Sequence, residues 1–581
     1  MGDPVRDRLL SPNRVAVVGS DELASTPSLP HERFEPAELR EESTAERLED
    51  TDLALVTTAS DVEAVVGALV EGGVRAILVS AAVDPRTWAD LLEVATDADV
   101  PLLGPEASLA RPEIGLQVGI DEEIQPGSTA LVAEDSLTVS SLVAEATRRG
   151  IELGTVLATG SESTVRPADT FASFDAGSET DVILALPDRI DRPFFDATAA
   201  LSTETAIAVH APKWACADEP VDAGALGSIA PGHLRDTVLE QAGALGVDSV
   251  DRLLDLAPAL AHQPLPDGDD VVIVSNAGGP GVMATDAVGA SRLSMANLDE
   301  TTVEALEAAI PDRAYARNPL DLLADSDIDV FSDVLDAVLT DSGVDAAVVI
   351  SAPNPLFTFE EMAEIVADAR SRHESPVVTA LMGGESTAAA ASRLRSVGIP
   401  NYFDPFQAVA VIDALATQRD AAQRRTQPTT ANVALPAEKL RAEIEAAAGG
   451  LEVLEAAGLP IDAVPRDVSV SVHATRIPTL GPVVAVGVTD YGSVLQDVAV
   501  RVAPPTAREV RAMFEELRAS QLLKGARGME AVDVEGLVDA VRRIAAMPDA
   551  VPAIRAVHAT VAAGQSGVGV TDATVSVGDH Q

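Results

Sequence analysis

The sequence has very little positive charge. It contains 40 Lys plus Arg against 92 Asp plus Glu, a formal net charge of −52, and its lysines are Lys213, Lys439 and Lys524. Sequence-independent DNA binding needs a basic stripe that neutralises phosphates, so the composition argues against it. The acidic residues are spread along the whole chain, and such a field is tolerated where salt screens it. We therefore expect a protein adapted to a salt-filled cytoplasm; an acidic surface for a basic partner is the alternative.

Cysteine, aromatic residues and long apolar runs are also scarce. The single cysteine, Cys216, excludes an internal disulfide and suits a reducing compartment. Aromatic residues make up 3% of the chain, which argues against stacking platforms for single-stranded nucleic acid. No apolar run reaches the roughly 18 residues of a membrane span, and the N-terminus does not resemble a signal peptide. We expect a cytoplasmic protein that binds neither membranes nor nucleic acids.

Two kinds of catalytic site find no support in the sequence. The histidines are scattered, and none lies at metal-ligand spacing with a cysteine or paired carboxylates. The nucleophile motif Gly-x-Ser-x-Gly of a hydrolase is absent. The sequence therefore predicts no metal site and no hydrolase triad.

Apolar runs alternate with helical patterns along most of the chain, as in residues 14–19, 53–56 and 76–79. Residues 61–71 predict a helix with one apolar face, whereas residues 22–49 are polar and predict an irregular segment. Strand and helix alternation predicts α/β domains with doubly wound parallel sheets. Similar apolar runs predict further strands at 129–132, 154–157, 182–185, 206–209, 271–274, 346–350, 376–380, 398–400, 483–486 and 498–502.

The spacing of these patterns divides the chain into domains. We assign residues 1–124, 125–265, 266–418 and 436–581 to four domains and residues 419–435 to a linker rich in Arg, Gln and Thr. The second and third domains have a similar rhythm, as duplicated flavodoxin-like folds would.

The clearest local motif is the run Ser275-Asn276-Ala277-Gly278-Gly279-Pro280-Gly281 after a buried strand. Glycines let a backbone approach an anion, and the unpaired N–H groups of the first helical turn attract it. Glycines placed for tight packing alone are the other interpretation. The spacing matches neither the dinucleotide motif Gly-x-Gly-x-x-Gly nor a Walker A loop. A nicotinamide-dependent dehydrogenase that uses the first domain is a weak hypothesis, because Gly19 has no further glycines spaced for a pyrophosphate.

Two more loops could line the same ligand crevice. They are Asn318-Pro319-Leu320-Asp321 and the run from Gly398 to Asp404. In an open sheet, ligands bind at the carboxyl ends of the strands, where such loops lie. Each loop taken singly is also typical of ordinary turn chemistry.

Together these motifs resemble the ADP-forming acetate/acyl-CoA ligases, relatives of succinyl-CoA synthetase. The C-terminal runs Gly481-Pro-Val-Val-Ala-Val-Gly487, Asp497-Val-Ala-Val-Arg501 and Leu523-Lys-Gly525-Ala-Arg527-Gly528 resemble the second half of that family's ATP-grasp domain. The resemblance covers nearly the whole chain. It implies a shortened Rossmann-like CoA-binding domain, two flavodoxin-like ligase domains and a reduced ATP-grasp-like domain, in that order.

The resemblance also implies a reaction and its ligands. In the family, acyl-CoA, ADP and phosphate are converted to acid, ATP and CoA through an acyl phosphate and a phosphohistidine, with magnesium on the nucleotide. Arg501 and Arg527 correspond to nucleotide-binding positions. The positions implied for phosphate or CoA are Ser275, Asn276, Gly278, Gly279, Gly281, Asn318 and Asp321.

Several catalytic positions of the family are replaced. Ala225 occupies the phosphohistidine slot, and Pro187 stands near the slot of the supporting glutamate. His233, eight residues beyond Ala225 and expected on the next helix, is a weak substitute. The segment that supplies magnesium ligands in the family corresponds to residues 555–560, which contain no carboxylate.

Two functions therefore stay open. The chain is either a non-catalytic relative that retains a CoA or phosphate site, or an active ligase completed by a partner subunit. The expected ligand is a small CoA-type or phosphate molecule. The assembly is either a homo-oligomer or a complex with a partner ligase subunit.

Overall fold

In a computed structural model of the chain, the described residues are 6–19, 24–25, 29–40, 44–174, 180–201, 203–311, 314–324, 326–426, 433–461, 468–489, 497–526 and 530–578. They form two compact units. The first comprises residues 1–186, 200–210 and 243–426, and the second comprises residues 187–199, 211–242 and 427–581.

The N-terminal sheet of the first unit is parallel. Its strands in spatial order are His31–Phe34, Val15–Val18, Leu53–Val56, Ile77–Val79 and Leu102–Leu103. Its helices are Thr44–Leu48, Val62–Glu71 and Pro85–Asp97. The predicted amphipathic helix is confirmed, since Val62–Glu71 buries Val62, Val65, Val66 and Leu69.

The prediction that residues 22–49 are irregular is wrong. The described part of this segment contains the strand His31–Phe34, which pairs with Val15–Val18. This strand lies at the sheet edge and buries only Phe34, so it accepts polar side chains that a central strand would exclude.

The central sheet, also in the first unit, combines a parallel part with an antiparallel extension. Its parallel strands, in spatial order, are Leu245–Gly246, Ala206–Val209, Val182–Leu186, Thr129–Ala133 and Leu153–Ala158. The extension adds Ser108–Arg111, Leu116–Val118 and Ala24–Ser25. Residues 108–118, assigned by sequence to the first domain, thus complete the second sheet. The accompanying helices are Ser136–Arg149, Phe171–Phe174 and Val250–His262.

The third sheet is parallel and carries the glycine-rich motif. Its strands in spatial order are Ser294–Met295, Asp270–Ser275, Ala346–Ser351, Val377–Leu381 and Asn401–Tyr402, and Leu320–Asp321 also pairs with Asp270–Ser275. Its helices are Gly278–Gly289, Glu300–Ala309, Ile328–Thr340, Phe359–Arg372, Ala388–Arg395 and Pro405–Arg425. The last helix continues to Arg425, so the predicted start of the linker at residue 419 is wrong: the arginines there belong to a helix end, where cations are favoured.

The second unit is built on an antiparallel sheet. Its strands in spatial order are Ala499–Val502, Gly481–Val488, Val468–Ile477, Ile554–Gly564 and Gly567–Val577. The helices are Arg192–Ala199, Pro231–Ala242, Ala437–Glu445, Gly450–Ala456, Ala507–Glu516, Ser520–Leu523 and Val534–Ala550. A small hairpin pairs Val221–Asp222 with Ser228–Ile229.

The predicted α/β class with parallel sheets is confirmed. The continuous apolar runs form strands that are buried on both faces, such as Ala346–Ser351. In the part of the chain that the structure describes, no helix combines the length and the apolar character needed to cross a membrane.

Candidate functional site

The glycine-rich motif forms a strand-to-helix turn at the carboxyl edge of the third sheet. The strand Asp270–Ser275 ends there, Ala277 is the extended N-cap residue, and the helix Gly278–Gly289 follows. The first N–H groups of a helix have no partner within it and carry its partial positive charge. No acidic residue lies in this first turn. The turn can therefore attract an anion.

The space in front of this helix is open at its second residue. A Cβ atom added at Gly279 would have no heavy atom within 4 Å, and one at Gly281 would meet only the Ser275 Cβ, at 3.8 Å. At Gly278 the added atom would lie 2.8 Å from Asp321 Oδ2. A ligand approaching Gly279 would thus meet backbone groups, with the Asp321 carboxylate to one side.

Ser275 and Asn276 shape the turn from within. The Ser275 hydroxyl accepts a hydrogen bond from the Ala277 N–H (3.1 Å) and donates one to the Ala277 carbonyl (2.9 Å). The Asn276 amide donates to the Ala352 carbonyl and accepts from the Ala352 N–H, both at 2.8 Å. Because both side chains are buried and engaged, their part in ligand binding would be to hold the loop.

Asn318 supports the strand that leads into the turn. Its Oδ1 accepts from the Ile273 N–H (3.0 Å), and its Nδ2 donates to the Val271 and Ala296 carbonyls at 2.7 and 3.1 Å. Asp321 accepts from the Leu323 N–H through Oδ1 at 3.0 Å. Direct contact of either residue with phosphate or CoA stays a prediction. The Asn318 amide is the more fully engaged of the two.

The adjacent strand ends at a cavity of about 350 Å³. Asn354 lies in this cavity; its Oδ1 accepts from the Leu356 N–H at 2.7 Å, whereas its Nδ2 is buried without a partner among the described residues. The sequence motifs described above do not include Asn354. The feature that could have identified it is a polar residue just after the buried strand Ala346–Ser351.

The run from Gly398 to Asp404 makes internal contacts. Asn401 Oδ1 accepts from the Thr379 hydroxyl and the Leu381 N–H, both at 3.0 Å. The Tyr402 hydroxyl donates to the Asp255 carbonyl at 2.5 Å, and Asp404 caps the helix Pro405–Arg425. The interpretation of this run as turn chemistry is the one its contacts favour.

Ala225 lies in the 3-10 turn Gly224–Leu226, at the tip of the small hairpin in the second unit. Its methyl group is exposed and offers no nucleophile. His233 lies on the helix Pro231–Ala242, as predicted, and is also exposed. Pro187 is buried directly after the strand Val182–Leu186.

The turn at Gly224 lies against two histidines of the C-terminal sheet. A Cβ atom added at Gly224 would lie 2.9 Å from His473 Nδ1 and 3.4 Å from His558 Nδ1. Burial and the neighbouring His558 lower the pKa of His473, and Asp222 opposes this shift. Burial likewise lowers the pKa of His558, against the influence of Asp572. The two imidazoles therefore favour their neutral forms.

Arg501 is already paired within its own unit. This buried guanidinium donates to both carboxylate oxygens of Glu516 and to the Val500 carbonyl. Its assignment to nucleotide binding stays a prediction, and it requires a contact beyond these. Arg527 lies outside the described residues.

Two other chemistries can be assessed from side chains. Burial raises the pKa of the Cys216 thiol to about 12, which makes it a poor nucleophile. Among the described residues, no group of three or more His, Cys, Asp or Glu side chains is arranged to hold a metal ion. Residues 555–560 offer one imidazole and no carboxylate, so they do not fit the oxygen-ligated magnesium that the resemblance implies.

Comparison with known families gives three matches in succession. Residues 126–260 match the succinyl-CoA ligase like flavodoxin domain, residues 271–425 match the Ligase-CoA domain, and residues 429–577 match the ATP-grasp domain. The order is the one that the sequence resemblance implied.

Individual relatives agree. The chain is similar to acetate–CoA ligase [ADP-forming] I of Archaeoglobus fulgidus, with 24% identity over 546 residues that cover 78% of either chain. It is also similar to acetate–CoA ligase [ADP-forming] II subunit alpha of Pyrococcus furiosus, with 27% identity over 344 residues, 57% of this chain and 74% of that subunit.

A solved structure shares the fold. It is the dinucleotide forming acetyl-coenzyme A synthetase 1 of Ca. Korarchaeum cryptofilum in complex with phosphate and ADP. The TM-score is 0.64 at 19% identity, and the match covers 73% of this chain and 100% of that one.

Proposed function

Since the chain belongs to the ADP-forming acyl-CoA ligase family, we propose that it binds a CoA-type or phosphate ligand and does not by itself pass a phosphoryl group to a nucleotide. The observation that carries this proposal is Ala225. Its exposed methyl group stands on the hairpin turn at the position that the family resemblance assigns to the phosphorylated histidine.

The chemistry of the relay explains why this position matters. A phosphoryl carrier needs a nucleophilic lone pair, which an imidazole has and a methyl group lacks. His233 is on a different element, the helix Pro231–Ala242, and Pro187 offers no carboxylate to orient an imidazole. The phosphorylated histidine, its supporting glutamate and the magnesium carboxylates of the family are all replaced in this chain. Their joint replacement indicates that the chain is no longer selected for catalytic turnover.

Ligand binding is supported by the glycine-rich turn. The first N–H groups of its helix have no partner within the helix, the space beside Gly279 is open, and Asn276 anchors the turn to the neighbouring strand end. An anion there would interact with the helix dipole, worth about 0.3–1 kcal/mol at an exposed site. We place this function in a salt-rich cytoplasm, in line with the charge composition and the single cysteine.

The first experiment measures phosphorylation directly. Purified protein in molar KCl is incubated with γ-labelled ATP and magnesium, and acid-labile label on the protein is counted. We expect none in the wild type or in His233→Gln. Label that appears in the wild type and disappears in His233→Gln would establish a substitute phosphoryl acceptor and refute the proposal.

The second experiment measures ligand binding separately. Isothermal titration with CoA, phosphate and ADP at high salt tests each ligand without requiring turnover. We expect CoA or phosphate to bind, Gly279→Glu to abolish binding, and Gly279→Ala to retain it. Equal binding by wild type and Gly279→Glu would exclude the glycine-rich turn as the site.

The second candidate function is an active ligase completed by a partner subunit. The Pyrococcus furiosus relative is itself named as an alpha subunit, which motivates this alternative. The test mixes this chain with a separately purified subunit that carries a phosphorylatable histidine, supplies acyl-CoA, ADP, phosphate and magnesium, and measures ATP. Acyl-CoA-dependent ATP formation by the mixture, absent from either component alone, would favour the partner hypothesis over a non-catalytic chain.

A further inference from the structure

Two histidines that are far apart in sequence are cross-strand neighbours in the C-terminal sheet. His473 in the strand Val468–Ile477 lies directly opposite His558 in the antiparallel strand Ile554–Gly564. Their ring centroids are 5.9 Å apart, and the ring planes are inclined by 43°. Directly opposed residues place their side chains on the same face of a sheet, so the two imidazoles belong to one cluster, the His473–His558 pair.

The pair has unsatisfied polar atoms. His473 is only 7% exposed, and His558 is partly buried. The Nδ1 atoms of both rings are buried without a hydrogen-bond partner among the described residues. A buried polar group left unpaired costs about 1–3 kcal/mol, so two such atoms side by side call for a physical explanation.

The two Nδ1 atoms face the same small space. Both lie within 3.4 Å of the point that a Gly224 Cβ would occupy. Gly224 has φ +61°, a conformation that glycine adopts without strain, and its N–H donates to Asp222 Oδ1 at 2.9 Å. A glycine at this turn therefore leaves the space between the rings free of side-chain atoms.

We propose that the His473–His558 pair is a binding site for a late first-row transition-metal ion, such as Cu²⁺, Ni²⁺ or Zn²⁺, with water completing the coordination. Imidazole nitrogen suits these ions, whereas Mg²⁺ prefers oxygen ligands. A metal bound through Nδ1 would satisfy both orphaned atoms at once. Of the two histidines, His558 lies in the segment 555–560 that the family resemblance assigns to magnesium, where an imidazole is present and carboxylates are absent.

The surroundings favour a cation. The negative charge of Asp222 acts electrostatically on His473, and that of Asp572 acts on His558. The site does not depend on CoA binding or on phosphoryl transfer, so its test is independent of the tests of the proposed function.

The test uses the full-length protein and Cu²⁺ as the probe. One equivalent of Cu²⁺ is added in buffered molar KCl, and electron spin echo modulation counts coordinated imidazoles through their remote nitrogens. This readout distinguishes the pair from the many surface carboxylates and from the terminal amine. We expect two imidazoles in the wild type, and at most one in His473→Gln or His558→Gln.

Affinity supplies the second readout. Competition of Zn²⁺ with a chromophoric indicator should show at least a tenfold loss of affinity in either variant. His262→Gln, which alters an exposed histidine of the other unit, should retain both the affinity and the signal. A hundredfold excess of Mg²⁺ should not displace the bound ion.

Two variants separate loss of the ligands from misfolding. His558→Gln alters the less buried ring, and Gly224→Ala keeps both histidines and places a methyl group next to their Nδ1 atoms, with less strain than a β-branched side chain at this left-handed φ. We expect Gly224→Ala to lower Zn²⁺ affinity at least tenfold. Oxygen-only Cu²⁺ coordination in the wild type, or two-imidazole coordination that persists in folded His558→Gln, would overturn the proposal.

Discussion

Two regions of the molecule differ in what lies in front of them. One is the carboxyl edge of the third sheet, and the other is the face of the C-terminal sheet that carries His473 and His558. At the carboxyl edge, an added Cβ at Gly279 would meet no atom within 4 Å, and the side chains of Asn276 and Asn318 are hydrogen-bonded to the backbone. At the C-terminal sheet, the turn Gly224–Leu226 of the same unit contacts the strands Val468–Ile477 and Gly481–Val488. We call the first the open region, because the space in front of Gly279 is empty, and the second the covered region, because a turn of the same chain lies over it.

This difference separates two kinds of glycine. Gly279 has an ordinary φ and no neighbours, so its missing side chain benefits a ligand rather than the fold. Gly224 has a left-handed φ and lies against two imidazoles, so its missing side chain is required by the protein itself. The sequence alone does not distinguish them, because both are glycines in turns.

The largest effect is expected from Asn318→Ala, which tests whether the frame of the open region is structural. The substitution removes three hydrogen bonds and leaves the Val271, Ile273 and Ala296 backbone groups without that partner. We expect a loss of about 2–4 kcal/mol in the free energy of unfolding. The measurement is the midpoint of urea unfolding in molar KCl.

Asn297→Ala at an exposed position is the control for Asn318→Ala, and it should change stability by less than about 0.5 kcal/mol. A ligand-contacting Asn318 with no structural role would give the opposite pattern. Stability would then be retained, and phosphate or CoA binding would be lost.

Arg501→Met should have the next largest effect and probes the opposite face of the C-terminal sheet, since the strand register aligns Arg501 with Val484 and Ala474 rather than with His473. Arg501 is 7% exposed and paired with Glu516, whose side chain is 44% exposed. Removing the buried Arg501 charge leaves Glu516 without its ion-pair partner, but water can hydrate the exposed carboxylate. We therefore expect the free energy of unfolding to fall by about 2 kcal/mol. Thermal unfolding of Arg501→Met beside Arg508→Met, an exposed arginine, measures the difference.

Retained stability in Arg501→Met together with weakened ADP binding would reverse this expectation. Arg501 would then act on a nucleotide, as the sequence resemblance implies. The Arg501–Glu516 pair would then have to separate to admit that nucleotide.

The sequence predicted most of the parallel strands but only two strands of the antiparallel C-terminal sheet, Gly481–Val488 and Ala499–Val502. Runs such as Val271–Val274 are apolar on both faces, so their burial is visible in composition alone. The strands Ile554–Gly564 and Gly567–Val577 alternate apolar and polar residues, and that pattern was not assigned to strands. The period-2 signal was present in the sequence.

The candidate sites show the same limit. The glycine-rich turn was found because strand, turn and helix are contiguous in sequence. The His473–His558 pair could not be found, because it depends on the register of two strands that are separated, in the described part of the chain, by two other strands and three helices. The internal bonding of Asn318 and Arg501 was equally hidden, since their partners are set by tertiary packing.

Gly224→Ala should have a smaller effect than either of the preceding substitutions. Its Cβ would lie 2.9 Å from His473 Nδ1, and the left-handed φ of +61° is unfavourable for alanine. We expect a loss of about 1–2 kcal/mol, measured by thermal unfolding. Gly384→Ala separates the two causes, because Gly384 has a φ of +60° but an added Cβ there would have no neighbour within 4 Å.

The contact at Gly224 predicts that its variant is the less stable of the two. Equal losses for Gly224→Ala and Gly384→Ala would attribute the whole effect to backbone strain. The turn would then not be pressed against the imidazoles, and the description of this region as covered would fail.

The smallest effect is expected from Gly279→Ala, the counterpart of Gly224→Ala in the open region. An added methyl group meets no atom within 4 Å, and alanine restricts the unfolded chain more than glycine does. Unfolding free energy should therefore rise by less than about 1 kcal/mol, as it should for Gly289→Ala at the other end of the same helix. Urea unfolding of the two variants in parallel makes the comparison. A loss of stability in Gly279→Ala alone would mean that the space in front of the helix is needed by the protein, and the contrast between an open and a covered region would disappear.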